Sequence, residues 1–280
     1  MTEQAKELTL LAYDLRKKVI DMIVSGKGGH IGGDMSVLNI LVTLYFNEMN
    51  VSPKNQDDPG RDRFVLSKGH SVEAYYAVLA QKGFFPMDEV IAQFSKFGSP
   101  YIGHPNNKLP GIEMNSGSLG HGLGVCVGMA LAGKMDGADY RVYTVMGDGE
   151  LAEGSVWEAA MAGGHYKLDN LCAVVDRNRL QISGGTEEVM AQDVQEERWK
   201  AFGWHVISAD GNQIEPLIAA FEQAKGQKGR PTVIIANTTK GFGSAVMENK
   251  AAWHHKVPNE EEYAQIMKDL DARKEAVCHE

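Results

Sequence analysis

The sequence predicts an α/β fold in which helices flank a parallel β-sheet. Apolar segments typical of buried strands alternate with segments of helical periodicity through most of its 280 residues. The clearest example is residues 141–183, in which a strand, a helix and a second strand follow one another. Such a crossover unit places its two strands parallel in one sheet. A chain of this length can bury the core of one large domain or two modest ones.

The other elements follow from the same kinds of spacing. Helices are predicted where apolar residues recur every three or four positions, as Leu8, Leu11 and Leu15 do, and strands where β-branched and other apolar residues run together. In chain order we expect helix 5–25, a second helix after the glycine-rich loop 26–33, strand 63–67, a helix after Ser71, an irregular stretch 95–124, helix 119–135, strand 142–146, helix 151–162, strand 171–175, helix 191–202, strand 204–209, helix 213–224, strand 231–237, loop 238–258 and helix 259–276.

Helix ends carry further signals. Asp34 or Ser36 is expected to cap the second helix and Ser71 the third, because such side chains accept hydrogen bonds from a helix's first turn. Helix 119–135 is rich in small residues, which would let it pack closely on a neighbouring chain. The last helix is charged and amphipathic, so we expect it at the surface.

Composition and charge argue against several classes of protein. The net charge is −9 and the basic residues are scattered, which disfavours nucleic-acid binding. No apolar run approaches the ~20 residues of a membrane span, and the amphipathic N-terminus is unlike a signal peptide. The three cysteines lack metal-type spacing, so we expect reduced thiols in a cytoplasmic protein.

The central crossover unit carries the residues best suited to chemistry. Asp148 and Asn178 each follow the carboxyl end of a predicted parallel strand, the edge at which open α/β sheets bind ligands. A carboxylate and an amide oxygen suit Mg²⁺ or Ca²⁺, with further oxygens supplied by a phosphate. Gly147 and Gly149 let the backbone approach that phosphate closely, beside a helix N-terminus. The pattern therefore predicts a metal-bound diphosphate site.

The wording of this segment, GDGELAEG followed by DRNRL, resembles the thiamine diphosphate-binding motif of the transketolase family. The resemblance implies that Asp148, Asn178 and the carbonyl oxygen of Leu180 hold Mg²⁺, for which Ca²⁺ or Mn²⁺ can substitute. It also implies that Gly147, Gly149 and Asn178 contact the cofactor. Glu153 matches a glutamate that acts at the interface between the family's thiamine-binding domains.

The glycine-rich loops extend the resemblance over nearly the whole chain. The loop GGHIGG is similar to the family's GHxG loop, which implies that His30 faces the substrate end of the cofactor. The segment RDRFVLSKGH implies that His70 contacts the diphosphate, and the GHP segment places His104 near the substrate's first carbons. In HHKVP, His254 takes the position of a family histidine that serves cofactor and substrate, although His254 and His255 could be exchanged.

One loop departs from the family pattern. The segment GSLGHG, residues 117–122, is similar to the family's GPLGQG, whose backbone contacts the cofactor's pyrimidine. Gly117 and Leu119 keep that expected contact. Ser118 replaces a proline, which a backbone contact tolerates, and His121 replaces a glutamine and has no assigned role.

The resemblance covers only the N-terminal, diphosphate-binding part of the family. It implies one thiamine diphosphate-binding domain over residues 1–280 and a separate partner chain with the pyrimidine-binding and C-terminal domains, assembled as α₂β₂. The implied reaction moves a two-carbon ketol unit between sugar phosphates, with His30 or His254 as the base and His104 holding the transferred fragment. Pentose phosphates are the default substrates.

Other functions remain open at this point. Deoxyxylulose-phosphate synthases and the α subunits of 2-oxo-acid dehydrogenases are related thiamine enzymes, although the RDRFVLSKGH and GHP segments favour transketolase. Outside that class, Asp148, Asn178 and the histidines could serve a metal-dependent phosphatase, which would act alone and without thiamine diphosphate. A non-catalytic binding module is the weakest alternative, because every expected type of ligand residue is present.

Overall fold

A computed structural model describes residues 1–279. The strands are β1 (Arg63–Leu66), β2 (Val142–Gly147), β3 (Leu171–Arg177), β4 (His205–Asp210) and β5 (Thr232–Asn237). The helices are α1 (Glu3–Gly26), α2 (Ile31–Thr43), α3 (Val72–Lys82), α4 (Met87–Gln93), α5 (His121–Met135), α6 (Gly154–His165), α7 (Thr186–Val189), α8 (Gln195–Ala201), α9 (Ile214–Gly226) and α10 (Glu260–Cys278).

The five strands form one sheet in the order β1-β2-β3-β5-β4, and every pair is parallel. Side chains alternate across each strand, and both faces are apolar, as expected for a parallel sheet covered on both sides. On one face, Tyr143 and Val145 of β2 join a core formed with α1, α2, α3, α9 and α10. On the other, Val142 and Met146 pack with α5, α6 and the α8 residue Trp199. The predicted fold class is confirmed.

The predicted caps of two helices are wrong. Helix α2 begins at Ile31, with His30 at its N-cap position, so Asp34 and Ser36 lie inside the helix. Both are buried and make longer-range contacts; the Ser36 hydroxyl donates to Asp176 Oδ2 at 2.7 Å. Ser71 does precede α3, but its side chain makes no capping hydrogen bond.

Several helix boundaries also differ from the prediction. The predicted helix 151–162 is divided in the structure. A 3₁₀ turn, Gly149–Ala152, is followed by α6, because the backbone is extended at Glu153. Helix 191–202 begins only at Gln195, α5 begins at His121, and α4 was not predicted. The last helix is more than a surface element, since its Ile266 and Leu270 are fully buried in the core that includes α1. Within residues 1–279, no helix combines the length and hydropathy of a membrane span.

Candidate active site

A cavity of about 410 Å³ opens at the carboxyl ends of β1, β2, β3 and β5. Its walls include His30, Gly33, Lys68, His70, His104, Gly117, Leu119, Gly147, Asp148, Gly149, Glu150, Asn178, Leu180, Gln181, Ile182, Ser183, Val189, Lys240 and His254. The structure thus brings together all the predicted site residues except Glu153. Glu153 lies outside the cavity, exposed at the N-cap of α6, and its expected role stays a prediction.

Asp148 directly follows β2, and both of its carboxylate oxygens accept hydrogen bonds from nearby backbone amides. Oδ1 accepts a hydrogen bond from Gly149 N at 2.9 Å, and Oδ2 accepts one from Arg179 N at 2.6 Å. Arg179 has a positive φ of 66°, which turns the chain back after β3 so that its amide reaches Asp148. Burial, and then the charge of Asp176, raise the pKa of the Asp148 carboxyl to about 6.

Asn178 and Leu180 supply the other expected oxygens beside Asp148. Asn178 Oδ1 accepts from Leu180 N at 3.2 Å, and its amide nitrogen donates to Ser36 Oγ at 3.3 Å. The Leu180 carbonyl oxygen accepts from Lys240 Nζ at 2.9 Å. A carboxylate, an amide oxygen and a peptide oxygen form a hard donor set that fits Mg²⁺ when a diphosphate completes the shell. Among the described residues, no cluster of three His, Cys, Asp or Glu side chains offers an alternative metal site.

The sequence did not reveal a buried ion pair that includes Lys68 of the cavity wall. Lys68 Nζ lies 2.5 Å from Asp176 Oδ2, and both side chains are almost wholly buried. Asp176 also accepts hydrogen bonds from the hydroxyls of Ser36 and Thr238, and Lys68 donates to Gly33 O at 3.2 Å. The pair therefore joins the ends of β1 and β3 to α2. Its only sequence signal is that Lys68 and Asp176 each lie within a motif, SKGH or DRNRL.

A second lysine, also missed, points into the cavity. Lys240 Nζ lies 2.8 Å from His254 Nδ1 as well as 2.9 Å from Leu180 O. Burial, and then the charge of Lys68, lower the pKa of Lys240 to about 8. Its position just before the GFGS segment was the available signal. An ammonium beside the start of a helix and glycine amides is well suited to a phosphate.

Glu150 is a further missed residue, and its role is internal. Its carboxylate accepts from Gly120 N at 2.8 Å, from Gly147 N at 3.0 Å and from the Ser67 hydroxyl. These bonds fix the loop before α5 against the strand ends, so Glu150 holds the cavity wall in place. Gly117 lies in the same wall with φ at 138°, and a Cβ there would lie 2.6 Å from His104 Cδ2.

Five histidine rings cluster together, and four of them line the cavity. The His30 ring centroid lies 5.3 Å from that of His70, 6.1 Å from His104, 5.6 Å from His254 and 4.8 Å from His255. His254 lines the cavity, which favours it over His255 for the expected role.

The cavity histidines are neutral at pH 7. Burial, and then the neighbouring His255, lower the pKa of His30 to about 4. Burial and then Lys240 lower that of His254 to about 3, and burial and then Lys68 lower that of His70 well below its ordinary value. A neutral imidazole can accept a proton, so the arrangement is able to perform base catalysis.

Residues 9–276 match the family model described as transketolase, thiamine diphosphate binding domain. The chain belongs to the transketolase family. It is 50% identical over 270 residues to an apulose-4-phosphate transketolase subunit of Phocaeicola vulgatus, and the match covers 96% of each chain. It is 42% identical over 272 residues to a 6-deoxy-6-sulfo-D-fructose transketolase subunit of a Clostridium species, covering 97% of this chain and 98% of the relative.

Larger transketolases match over part of their length. The chain is 42% identical over 260 residues to transketolase from Homo sapiens and covers 92% of itself but 41% of that relative. Among solved structures, transketolase from Campylobacter jejuni is similar with a TM-score of 0.89 and 30% identity, over 98% of this chain and 43% of the other. The chain therefore spans about two fifths of the length of these transketolases and corresponds to their thiamine diphosphate-binding domain.

Proposed function

We propose that this chain is the diphosphate-binding subunit of a two-chain transketolase that depends on thiamine diphosphate and Mg²⁺. The observation that carries the proposal is the meeting of Asp148, Asn178 and the Leu180 carbonyl oxygen with the cationic Lys240 in one cavity at the strand ends. Hard oxygen ligands and phosphate-binding groups side by side match a metal diphosphate.

Each group in the cavity has a distinct task under this proposal. Asp148, Asn178 and Leu180 would hold Mg²⁺, while His70, Lys240 and the backbone at Gly147 and Gly149 would hold the diphosphate. The pyrimidine would lie against the backbone of Gly117 and Leu119. The chemistry that thiamine diphosphate supplies when bound is an electron sink for the carbon–carbon bond that is broken.

The histidines would handle protons and hydroxyls of the sugar. His30, or the neighbouring His254, accepts a proton from the donor's hydroxyl, since both rings are neutral. His104 hydrogen-bonds a hydroxyl of the transferred two-carbon fragment. His254 also stays close to the diphosphate through its contact with Lys240.

A partner chain would complete the site. Helix α5 exposes Gly124, Gly128 and Ala132 along one face while its other face is buried, a surface that a second chain could approach closely. The relatives from Phocaeicola vulgatus and Actinobacillus succinogenes are both named as subunits of a transketolase, which supports a second subunit. We propose that this subunit carries the pyrimidine-binding and C-terminal domains, meets Glu153 and α5, and assembles as α₂β₂.

The substrates are proposed as a ketose phosphate donor and an aldose phosphate acceptor. The names of two relatives refer to apulose 4-phosphate and to 6-deoxy-6-sulfo-D-fructose, so specialised sugars are candidates beside pentose phosphates. A lone metal-dependent phosphatase is disfavoured, because residues 9–276 match the model of a thiamine diphosphate-binding domain.

Substitution of Asp148 tests the metal site. In the assembled enzyme, Asp148→Ala is expected to lower turnover at least about tenfold, because an anionic ligand is lost. The Mg²⁺ concentration that gives half-maximal activity should rise for the same reason. Asp139→Ala is the matched control, since Asp139 is exposed just before the same strand. Turnover of Asp148→Ala within tenfold of the wild type would refute the ligand role.

A further inference from the structure

Two buried carboxyl groups lie directly behind the histidine cluster. Asp34 on α2 and Glu73 on α3 are both fully buried, and no described Lys, Arg or His forms an ion pair with either. Neither residue lines the cavity, and neither has a task in the proposed reaction. Burying acidic groups without cationic partners costs folding free energy, so their arrangement calls for a physical reason.

The two side chains tie together the starts of the two helices. Glu73 Oε1 accepts a hydrogen bond from His30 N at 3.1 Å, at the N-cap of α2. Asp34 Oδ1 accepts from Ala74 N at 3.0 Å, in the first turn of α3. Each helix therefore supplies the carboxyl group that binds an amide at the start of the other. A Cβ on Gly29 would lie 2.4 Å from Glu73 Oε1, so the loop before His30 packs directly on this carboxyl.

The remaining two oxygens require a proton between them. Asp34 Oδ2 and Glu73 Oε2 are buried and receive no hydrogen bond from any N–H or hydroxyl group. The two carboxyl groups are close enough for a hydrogen bond between them. Carboxylate oxygens only accept, so this bond exists only if one of the carboxyl groups is protonated.

The surroundings indicate which group carries the proton. Burial and then the charge of Asp34 raise the pKa of Glu73 well above its ordinary value. Burial raises the pKa of Asp34 to about 7, while the Ala74 amide and the charge of Lys68 oppose that rise. Tyr76, a titratable neighbour of Glu73, stays neutral because burial raises its pKa beyond the working range. Glu73 is therefore the protonated partner at neutral pH.

We propose that Glu73 and Asp34 are positioning residues that share one proton and thereby fix the starts of α2 and α3, which carry His30 and His70 on the cavity wall. Glu73–H donates to Asp34, and the two outer oxygens bind the amides of His30 and Ala74. The inference rests on the proposed function only in assigning tasks to His30 and His70. The shared proton itself does not depend on the cofactor.

The first test is the pH dependence of folding stability in the full chain. Glutamine at position 73 can accept from His30 N and donate to Asp34, as the protonated acid does, without needing a proton from solvent. Because Glu73 is protonated when folded and ionised when unfolded above its ordinary pKa, the contribution of Glu73 to wild-type stability falls as pH rises from 5 to 8. Glu73→Gln escapes this loss, so the ratio of the unfolding constants of wild type and variant should rise with pH by up to about tenfold per unit.

Denaturant titrations from pH 5 to 8 measure that ratio. Glu7→Gln is the matched control, since Glu7 is an exposed glutamate of α1 and its substitution should leave the profile parallel to the wild type. A ratio for Glu73→Gln that changes by less than about twofold over the whole range would overturn the shared proton.

The second test separates positioning from bulk stability. In the assembled enzyme, Glu73→Leu should weaken thiamine diphosphate binding at least tenfold, whereas Glu73→Gln should restore it to within about threefold of wild type. Equal affinity in all three proteins would overturn the positioning role. A wild-type complex that binds no thiamine diphosphate would refute the proposed function while leaving the pH test of the proton intact.

Discussion

At the scale of single residues, Lys240 explains why the cavity suits an anion. Its ammonium is mostly buried, near a second buried ammonium on Lys68, and the pKa of Lys240 is lowered to about 8 as a result. Lys68 is neutralised by Asp176, but no carboxylate forms an ion pair with Lys240 among the described residues. An entering diphosphate would supply the missing negative charge.

Substitution of Lys240 tests this electrostatic role. Lys240→Met keeps most of the side-chain volume and removes the charge, so the assembled enzyme should bind thiamine diphosphate at least about tenfold more weakly, while kcat at saturating cofactor changes less. Isothermal titration calorimetry measures the affinity, with the exposed Lys54→Met as the control. Unchanged affinity in Lys240→Met would contradict the assignment.

His30 predicts a particular sensitivity to acid. Its pKa is about 4 in the folded chain and about 6.5 ordinarily, so between these values the unfolded chain binds a proton that the folded chain does not. Its contribution to stability is therefore present above pH 6.5 and lost as pH falls towards 4. In His30→Gln, the free energy of unfolding should fall less steeply from pH 6.5 to 4.5 than in wild type.

The size of this effect is limited, because the His30 ring is partly exposed to solvent. We expect the unfolding constants of the two proteins to diverge by less than tenfold per pH unit. The exposed His279→Gln serves as the control for loss of a histidine. If the free energy of unfolding fell equally below pH 6.5 in wild type and in His30→Gln, His30 would not be held neutral by the fold.

Site residues could be predicted from the sequence where they directly follow a strand. Asp148 and Asn178 were identified because each directly follows a strand of one crossover unit, and the structure places both on the cavity. Lys240 was missed because it becomes relevant only when β5 lies beside β3, a neighbour relation that local periodicity does not reveal. The pairing of Lys68 with Asp176 was missed for the same reason, since it joins residues from β1 and β3, two strands that are not adjacent.

At the scale of elements, α5 has an exposed face of small residues. Leu123, Cys126 and Val127 are buried against the sheet and α6, whereas Gly124 and Gly128 face outward. A Cβ on Gly128 would meet nothing within 4 Å in this chain. Glycine costs helix stability relative to other residues, so a partner that packs against this face would explain its presence.

Enlarging Gly128 tests the partner surface. Gly128→Leu should leave the lone chain folded, and slightly more stable because leucine favours the helix by about 0.5–1 kcal/mol over glycine. It should nevertheless block assembly with the partner chain, which light scattering of the mixture would detect. Gly226→Leu, at the exposed end of α9, is the control. Normal assembly of Gly128→Leu would contradict this placement of the interface.

The sequence pattern predicted the main helices and strands better than it predicted where they begin and end. The type and order of the main helices and strands follow from periodicity, and they were predicted to within a few residues. The cap of α2 was wrong because Asp34 and Ser36 resemble capping residues, yet their side chains are used in contacts with α3 and β3. Local propensity cannot distinguish a cap from a tertiary contact of the same side chain.

At the scale of the whole molecule, strand order assembles the site. The order β1-β2-β3-β5-β4 brings the loops after the first four of these strands to one edge, so His70, Asp148, Asn178 and Lys240 face a common cavity. Strand β4 lies at the far side of the sheet, and none of its residues is among those that line the cavity. The sequence pattern predicted a parallel sheet, but it did not specify this order.

We propose that this chain provides the diphosphate half of a transketolase and needs a partner to act. The most direct measurement is transfer of a ketol unit from xylulose 5-phosphate to ribose 5-phosphate, with thiamine diphosphate and Mg²⁺ present. The assay is run on this chain, on the partner chain and on their mixture, and repeated with other ketose phosphates if pentoses are not used. We predict transfer by the mixture and by neither chain alone. Full activity of this chain by itself would contradict the claim.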